Sequence, residues 1–111
     1  MKLSEAMTKG DSQIAWTRGV FLDQRLSDGP WKGCALGAAA VGLYGLPANG
    51  NGVQIMKLQM RMEKEHPELH DREVLLEQGP QLPLRRAIME LNDCRGKTTR
   101  EIAKWLKGQD L

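Results

Sequence analysis

Two cysteines and two histidines are the side chains best suited to binding a metal: Cys34, His66, His70 and Cys94. His66 and His70 are four residues apart, about one helical turn, so that both imidazoles can converge on one ion, and four such ligands suit tetrahedral zinc. Pro67, however, interrupts the helix that would align the histidines, and neither cysteine belongs to a Cys-x-x-Cys pair. We therefore predict no metal and keep a zinc site as the alternative to solvated histidines and small buried thiols.

The sequence contains no assembled catalytic set. Gly50-x-Gly52 lacks the third glycine and the lysine of a phosphate-binding loop, and a Gly-x-Ser-x-Gly nucleophile elbow does not occur. A cysteine nucleophile would need an activating neighbour, which the sequence does not identify. We therefore predict that the protein is not an enzyme and that it uses no cofactor.

The C-terminal part of the chain predicts a basic helical hairpin. Its first helix, over 84–93, is indicated by apolar residues on one buried face: Leu84, Ala87, Ile88 and Leu91. Thr98 and Glu101 match a capping box that begins the last helix, over 99–107. If this hairpin binds nucleic acid, the basic residues in position to do so are Arg95, Lys97, Arg100 and Lys104. The solvated faces of an ordinary hairpin explain the same charges, so nucleic-acid binding is an alternative rather than the main prediction.

Methionines mark a candidate surface for binding a partner. Met56, Met60 and Met62 lie within ten residues, and flexible thioether side chains repack easily against varied partners. Burial of the same side chains in the core is the competing explanation. The sequence therefore predicts a protein partner or a homo-oligomer, with these methionines as candidate contacts.

Asn92 and Asp93 stand at the end of a predicted helix, where an amide and a carboxylate can bind a ligand. Side chains of this kind more often make hydrogen bonds to nearby backbone groups in turns. Asp93 can also pair with Arg95 or Lys97. We expect a structural role for both residues.

Composition limits the classes of function. The 111 residues include 16 basic and 14 acidic side chains, and the net charge of +2 is too small to indicate nucleic acid or an anionic membrane as the partner. The charge also excludes a DNA-mimicking decoy, which would be strongly acidic. The longest apolar run has 12 residues, too short for a bilayer core of about 30 Å, and the start has no signal-peptide pattern. We expect a cytoplasmic protein with reduced thiols and no membrane association.

That apolar run, residues 34–45, consists mainly of small side chains. Gly33 and Gly37 are four residues apart, as are Ala38 and Gly42, and this spacing on a helix lets another backbone approach closely. We predict a central helix here, packed against the helices at 84–93 and 99–107.

Three other segments complete the prediction. Ser4 is expected to cap a first helix over 5–9, with Gly10 as its stop. Residues 53–65 favour a helix that stops near His66, because Pro67 disfavours the helical conformation of the residue before it; an edge strand is the alternative. The segment 71–82 stays ambiguous.

The chain also resembles an uncharacterised family of short bacterial and phage proteins. The resemblance rests on three segments: Leu3-Ser4-Glu5-Ala6, Cys34-Ala35-Leu36-Gly37-Ala38-Ala39 and Leu91-Asn92-Asp93-x-x-Gly96-x-Thr98-x-x-Glu101-Ile102-x-x-Trp105-Leu106. It implies a helical single domain of bacterial or phage origin and supplies no catalytic residues.

We therefore predict a mostly α fold, with residues 1–111 forming one domain of four or five short helices and at most a minor β element. The predicted function is that of a small, non-catalytic interaction protein in the cytoplasm, a protein-binding or regulatory accessory factor.

Overall fold

Helices occupy 54% of the residues described by the computed structural model, which are residues 1–24 and 29–111. The helices are α1 (Leu3–Asp11), α2 (Ala35–Tyr44), α3 (Gly52–Glu65), α4 (Glu68–Asp71), α5 (Leu84–Met89) and α6 (Thr99–Gly108), and α5 continues directly into a π-helical segment (Glu90–Cys94). The strands are β1 (Ala15–Trp16), β2 (Leu22–Asp23), β3 (Lys32–Gly33), β4 (Glu73–Leu75) and β5 (Gln81–Pro83).

The strands form two small sheets. In the first, β3 lies between β1, to which it is parallel, and β2, to which it is antiparallel. In the second, β4 and β5 form an antiparallel hairpin with Val74 opposite Leu82. The prediction of a mostly helical protein is confirmed. The described residues, however, form six helices rather than four or five, and their strands make the fold mixed α/β rather than an all-α bundle.

Two of the additional elements, β4 and β5, lie mainly in the segment that the sequence left ambiguous. Pro67 ends α3, and the chain makes the single turn of α4 before it extends. The segment 71–82 then turns back on itself, with Gln78 in the left-handed region at a φ of 56° just before Gly79-Pro80. A helix is excluded here because β4 and β5 pair with each other instead.

The helix predicted over 34–45 is confirmed as α2, which starts after Cys34 and stops at Gly45, where φ is 84°. The prediction of close backbone approach is also correct, because a Cβ at Gly42 would overlap the Ala6 carbonyl oxygen of α1. In the same way, a Cβ at Gly10 of α1 would overlap the Ala38 carbonyl oxygen. The predicted contacts of α2 with α5 and α6 are present, but the main packing partner of α2 is α1, which the prediction did not include.

The N-terminus of α1 differs from the prediction. Lys2, not Ser4, is the N-cap residue, and α1 continues past Gly10 to Asp11. Ser4 is buried, and its hydroxyl donates a hydrogen bond to the Leu111 carbonyl at 2.7 Å. The Ser4 side chain therefore links α1 to Leu111 and does not cap its own helix.

The helix predicted over 53–65 is confirmed as α3, and the edge-strand alternative is wrong. The Asn51 side chain caps α3 by accepting a hydrogen bond of 2.8 Å from the Val53 amide. The helix stops before His66, which adopts a φ of −126° and a ψ of 70° ahead of Pro67. Asn51 and Gly52 are thus the N-cap and the first residue of α3.

The capping box at α6 is also confirmed. The Glu101 amide donates to the Thr98 hydroxyl at 3.3 Å, and the Thr98 amide donates to Glu101 Oε1 at 3.1 Å. The Thr98 amide and hydroxyl lower the pKa of the Glu101 carboxyl from its ordinary value. The two reciprocal hydrogen bonds of the capping box therefore stabilise the first turn of α6.

We expect Thr98→Ala to lower the free energy of unfolding by about 1 kcal/mol at neutral pH, because α6 loses its cap. The Glu101 contribution is present above its ordinary pKa and is lost as pH falls through the lowered one, so the difference from the parent should shrink in acid. Urea unfolding at several pH values measures this. Thr8→Ala is the control, because Thr8 is an exposed residue inside α1 whose hydroxyl bonds to the Ser4 carbonyl one turn back and caps no helix end. It should cost much less than Thr98→Ala, and equal losses for both variants would contradict the capping role.

One hydrophobic core joins these elements, with Leu3 and Met7 from α1, Val41 from α2, and Ile102 and Leu106 from α6 among its buried side chains. None of the helices within residues 1–24 and 29–111 has both the length and the apolar character required to cross a membrane.

Candidate functional site

The π-helical segment buries one polar side chain, that of Asn92, whose exposed fraction is 1%. Asn92 Oδ1 accepts hydrogen bonds from the Trp16 indole nitrogen at 2.8 Å and from the Ala35 amide at 3.0 Å. Asn92 Nδ2 donates to the Thr17 carbonyl at 3.1 Å and to an Asp93 carboxylate oxygen at 2.8 Å. One amide thus links β1, the start of α2 and the end of the α5 helix.

Asp93 extends this network, because its Oδ1 also accepts a hydrogen bond of 2.8 Å from the Gly19 amide. The structural role expected for Asn92 and Asp93 agrees with these bonds. Apart from the bond between these two neighbours, however, their partners are distant in sequence rather than local. Within the described part of the chain no ion pair joins Asp93 to Arg95 or Lys97. The pair links distant parts of the fold, and the Asn92 amide and Asp93 Oδ1 are already engaged by protein groups.

The four candidate zinc ligands do not form a common site. Cys34 is buried at the start of α2, whereas Cys94 is exposed at the end of the π-helical segment. His66 Nδ1 lies 3.0 Å from a Glu68 carboxylate oxygen, and His70 Nε2 lies 3.9 Å from Glu63. Across residues 1–24 and 29–111, no three His, Cys, Asp or Glu side chains are grouped around a possible ion position. This arrangement gives the zinc alternative no support.

The two thiols also lie in surroundings that do not favour the thiolate. Burial raises the pKa of the Cys34 thiol, although the amides of Gly37 and Leu36 act in the opposite direction. A hydrogen bond to the Glu90 carboxylate raises the pKa of the exposed Cys94 thiol. Nucleophilic chemistry requires the thiolate, so neither environment favours a reactive cysteine.

The methionines divide between the core and the surface. Met62 is 1% exposed and packs in the core, so its assignment to a binding surface is corrected. Met56 and Met60 are 53% and 61% exposed, and Val53, one helical turn before Met56, is 52% exposed. These three residues follow the i, i+3, i+7 spacing of one helix face, which we call the methionine face. The sequence analysis did not include Val53 in this surface, although its spacing from Met56 and Met60 places it on the same helix face.

A row of basic residues runs along α3 beside the methionine face: Lys57, Arg61 and Lys64. Arg61 already interacts with neighbouring side chains: its Nε lies 3.2 Å from Glu65 Oε2, and its guanidinium carbon lies 4.1 Å from the centre of the Tyr44 ring. The Tyr44 hydroxyl donates to Glu65 Oε1 at 2.9 Å, and burial together with this carboxylate raises the pKa of Tyr44 to about 12. Lys57 and Lys64 make no ion pair within the described residues, so their charges face solvent.

Of the four basic residues proposed to contact nucleic acid, three line one cleft. Arg95, Lys97 and Lys104 line a cleft of about 420 Å³ between the β4–β5 hairpin, the π-helical segment and α6, whereas Arg100 lies outside it. We call this the α6 cleft. Thr99, which a DNA-reading helix would present to bases, is buried. Nucleic-acid binding stays a prediction without support from this arrangement.

The floor of the α6 cleft is apolar, formed by Leu76, Leu91, Ile102 and the half-buried Trp105, and Glu77 and Glu101 stand with the basic residues on its rim. Sequence reasoning did not find this cleft, because Leu76 comes from the ambiguous segment and meets α6 only in the folded chain.

The chain matches no protein-family model, no curated protein and no solved structure. The resemblance to a bacterial and phage family accordingly stays a prediction from sequence motifs.

Proposed function

We propose that this protein is a small, non-catalytic interaction protein and that the methionine face of α3 binds an acidic segment of a protein partner. The observation that carries the proposal is the exposure of Val53, Met56 and Met60 on one side of a helix whose other side packs on the core through Met62. α3 therefore carries an apolar strip on each of two sides, and within the described residues only the strip at Met62 is covered.

The chemistry of the methionine face suits a protein partner. Contiguous exposed apolar side chains mark interaction sites, and methionine side chains adapt to the shape of what they contact. A helix such as α3, with 14 residues, presents the i, i+3, i+7 anchors of a helix that packs against an apolar partner surface.

The basic row favours an acidic partner over a second copy of this chain. Lys57 and Lys64 adjoin the methionine face with free charges, so carboxylates flanking an apolar segment would pair with them. In an antiparallel α3–α3 contact, a two-fold axis across the helices sets the basic row of one copy against the same row of the other, and like charges repel. The net charge of +2 adds to this repulsion.

We further propose, from the resemblance described above, a cytoplasmic accessory role in bacteria or their phages. This part of the proposal rests on motifs alone.

Selection from a random peptide library displayed on phage tests the interaction. We expect the parent protein to enrich peptides that combine apolar residues with Asp or Glu, at affinities that fall as salt rises because charges contribute. Met56→Gln combined with Met60→Gln should weaken binding of the selected peptides about tenfold, the effect of losing about 1.4 kcal/mol of apolar contact. Met89→Gln, an exposed methionine on α5, is the matched control and should leave binding unchanged.

Three outcomes would overturn the proposal. Selected peptides without acidic bias would contradict the role of Lys57 and Lys64, and equal binding by the double variant would contradict the methionine face. Dimerisation of the parent at micromolar concentration that the double variant abolishes would assign the face to a second copy instead.

A further inference from the structure

We propose that the α6 cleft binds a small molecule that carries a planar apolar ring and one carboxylate. The site lies on a different surface from the methionine face and does not depend on the interaction proposed above.

The cleft has the size and floor of a ligand site. Its volume of about 420 Å³ falls within the range of about 300–1,000 Å³ that is typical of small-molecule sites. Leu76, Leu91 and Ile102 are at most 7% exposed, which makes the floor apolar and fixed by packing. Trp105 is only half-buried and lines the same cleft, so its indole ring is within reach of a planar ligand ring.

The rim of the cleft is built to attract an anion. Arg95, Lys97 and Lys104 share the rim with Glu77 and Glu101, which leaves an excess of one positive charge. The Glu101 carboxylate is held by the Thr98 amide and hydroxyl in the capping box, and Lys97 lies 4.0 Å away from it. Within the described residues, Arg95 and Lys104 make no ion pair, so both cations are free for a ligand.

Arg95 is placed to pair with such a group. A Cβ on Gly79 would stand 3.2 Å from an Arg95 guanidinium nitrogen, so the guanidinium lies over the turn of the β4–β5 hairpin in space that glycine leaves open. A guanidinium binds a carboxylate through two parallel hydrogen bonds. The single excess charge favours one carboxylate over a phosphate dianion or a nucleic-acid strand, whose further charges would meet Glu77 and Glu101.

Three compounds with the same ring separate the role of the charge: indole-3-acetate, indole-3-acetamide and tryptamine. Titration followed by amide and indole N–H resonances in NMR reports both affinity and place. We expect indole-3-acetate to bind with a dissociation constant of about 1 mM, as its size predicts, and to shift the Trp105 indole resonance. The amide should bind at least about tenfold more weakly, and tryptamine should not bind at the cleft. Phenyl phosphate tests the other anion and should bind more weakly than indole-3-acetate.

Variants locate the site. Arg95→Gln and Lys104→Gln should each weaken indole-3-acetate binding several-fold. Arg100→Gln and Lys107→Gln are matched controls, because both replace basic residues of α6 outside the cleft and should leave the affinity unchanged.

Equal binding of the acetate and the amide, equal effects of all four variants, or no shift of the Trp105 resonance with indole-3-acetate would each overturn the proposal. Tighter binding of phenyl phosphate would overturn the choice of carboxylate. None of these results bears on peptide binding by α3, so failure of this site and failure of the proposed function are distinguishable.

Discussion

Gly42→Ala is expected to lower the free energy of unfolding by about 3 kcal/mol, at the upper end of what overpacking costs. Alanine in place of glycine inside a helix would ordinarily stabilise it by about 0.5–1 kcal/mol. Here the new methyl group would overlap the carbonyl oxygen of Ala6, a backbone atom that moves only if the whole of α1 moves. The measurement is urea unfolding followed by tryptophan fluorescence.

Two further variants make this test specific. Gly10→Ala places a methyl group on the Ala38 carbonyl from the opposite helix and should cost about as much as Gly42→Ala. Because both variants force α1 and α2 apart, the double variant should cost less than the sum of the two.

Gly108→Ala is the control for this pair, since no atom of the described residues lies within 4 Å of a Cβ at that helical position. It should leave stability unchanged or raise it slightly. A loss at Gly42 no larger than that at Gly108 would show that the two helices do not require this close contact.

Asn92→Ala is expected to cost about 3 kcal/mol, because it leaves the indole N–H of Trp16 and the Ala35 amide without their acceptor and the Thr17 carbonyl without its donor. Asn92→Asp retains an acceptor but loses the donor and puts a buried charge beside Asp93. Its penalty should therefore be larger at neutral pH than in acid, where the new carboxyl is protonated. Urea unfolding at both pH values measures the difference.

Smaller perturbations calibrate that result. Trp16→Phe removes one donor and leaves Asn92 bonded to the Ala35 amide, so its hydrogen-bond loss should be about 1 kcal/mol. Asn49→Ala changes an exposed asparagine that makes one local hydrogen bond, and it should cost less than about 0.5 kcal/mol. If Asn92→Ala proves no more costly than Asn49→Ala, the network around the π-helical segment does not stabilise the fold.

The sequence predicted where helices form better than it predicted which helices pack against each other. The spacing of Ala38 and Gly42 was sufficient to predict a helix that another backbone approaches closely. Ala6 and Gly10 have the same spacing on α1. This matching pair indicated α1 as the main packing partner of α2, and the prediction overlooked it. A close contact between two helices is therefore predicted from sequence only when small residues with the same spacing are found on both helices.

The sites were less predictable, because they depend on contacts between distant parts of the chain. Asn92 has the side chain of a local turn former, but its partner Trp16 is 76 residues away in sequence. The i, i+3, i+7 spacing of Val53, Met56 and Met60 was visible, but its exposure followed only from the burial of Met62 on the opposite side. The α6 cleft required the β4–β5 hairpin, which alternation of apolar residues over so few positions does not distinguish from a helix.

The π-helical segment after α5 affects how the sequence of this chain should be aligned with that of any relative. The Arg95 amide bonds to the Glu90 carbonyl at 3.1 Å, five residues back, whereas a regular α-helix bonds four residues back. A relative with an unbroken α-helix would therefore need one residue fewer between Ile88 and Gly96. The correct gap in such an alignment falls inside the helix, and moving it to the following corner would match Asn92 with the wrong position.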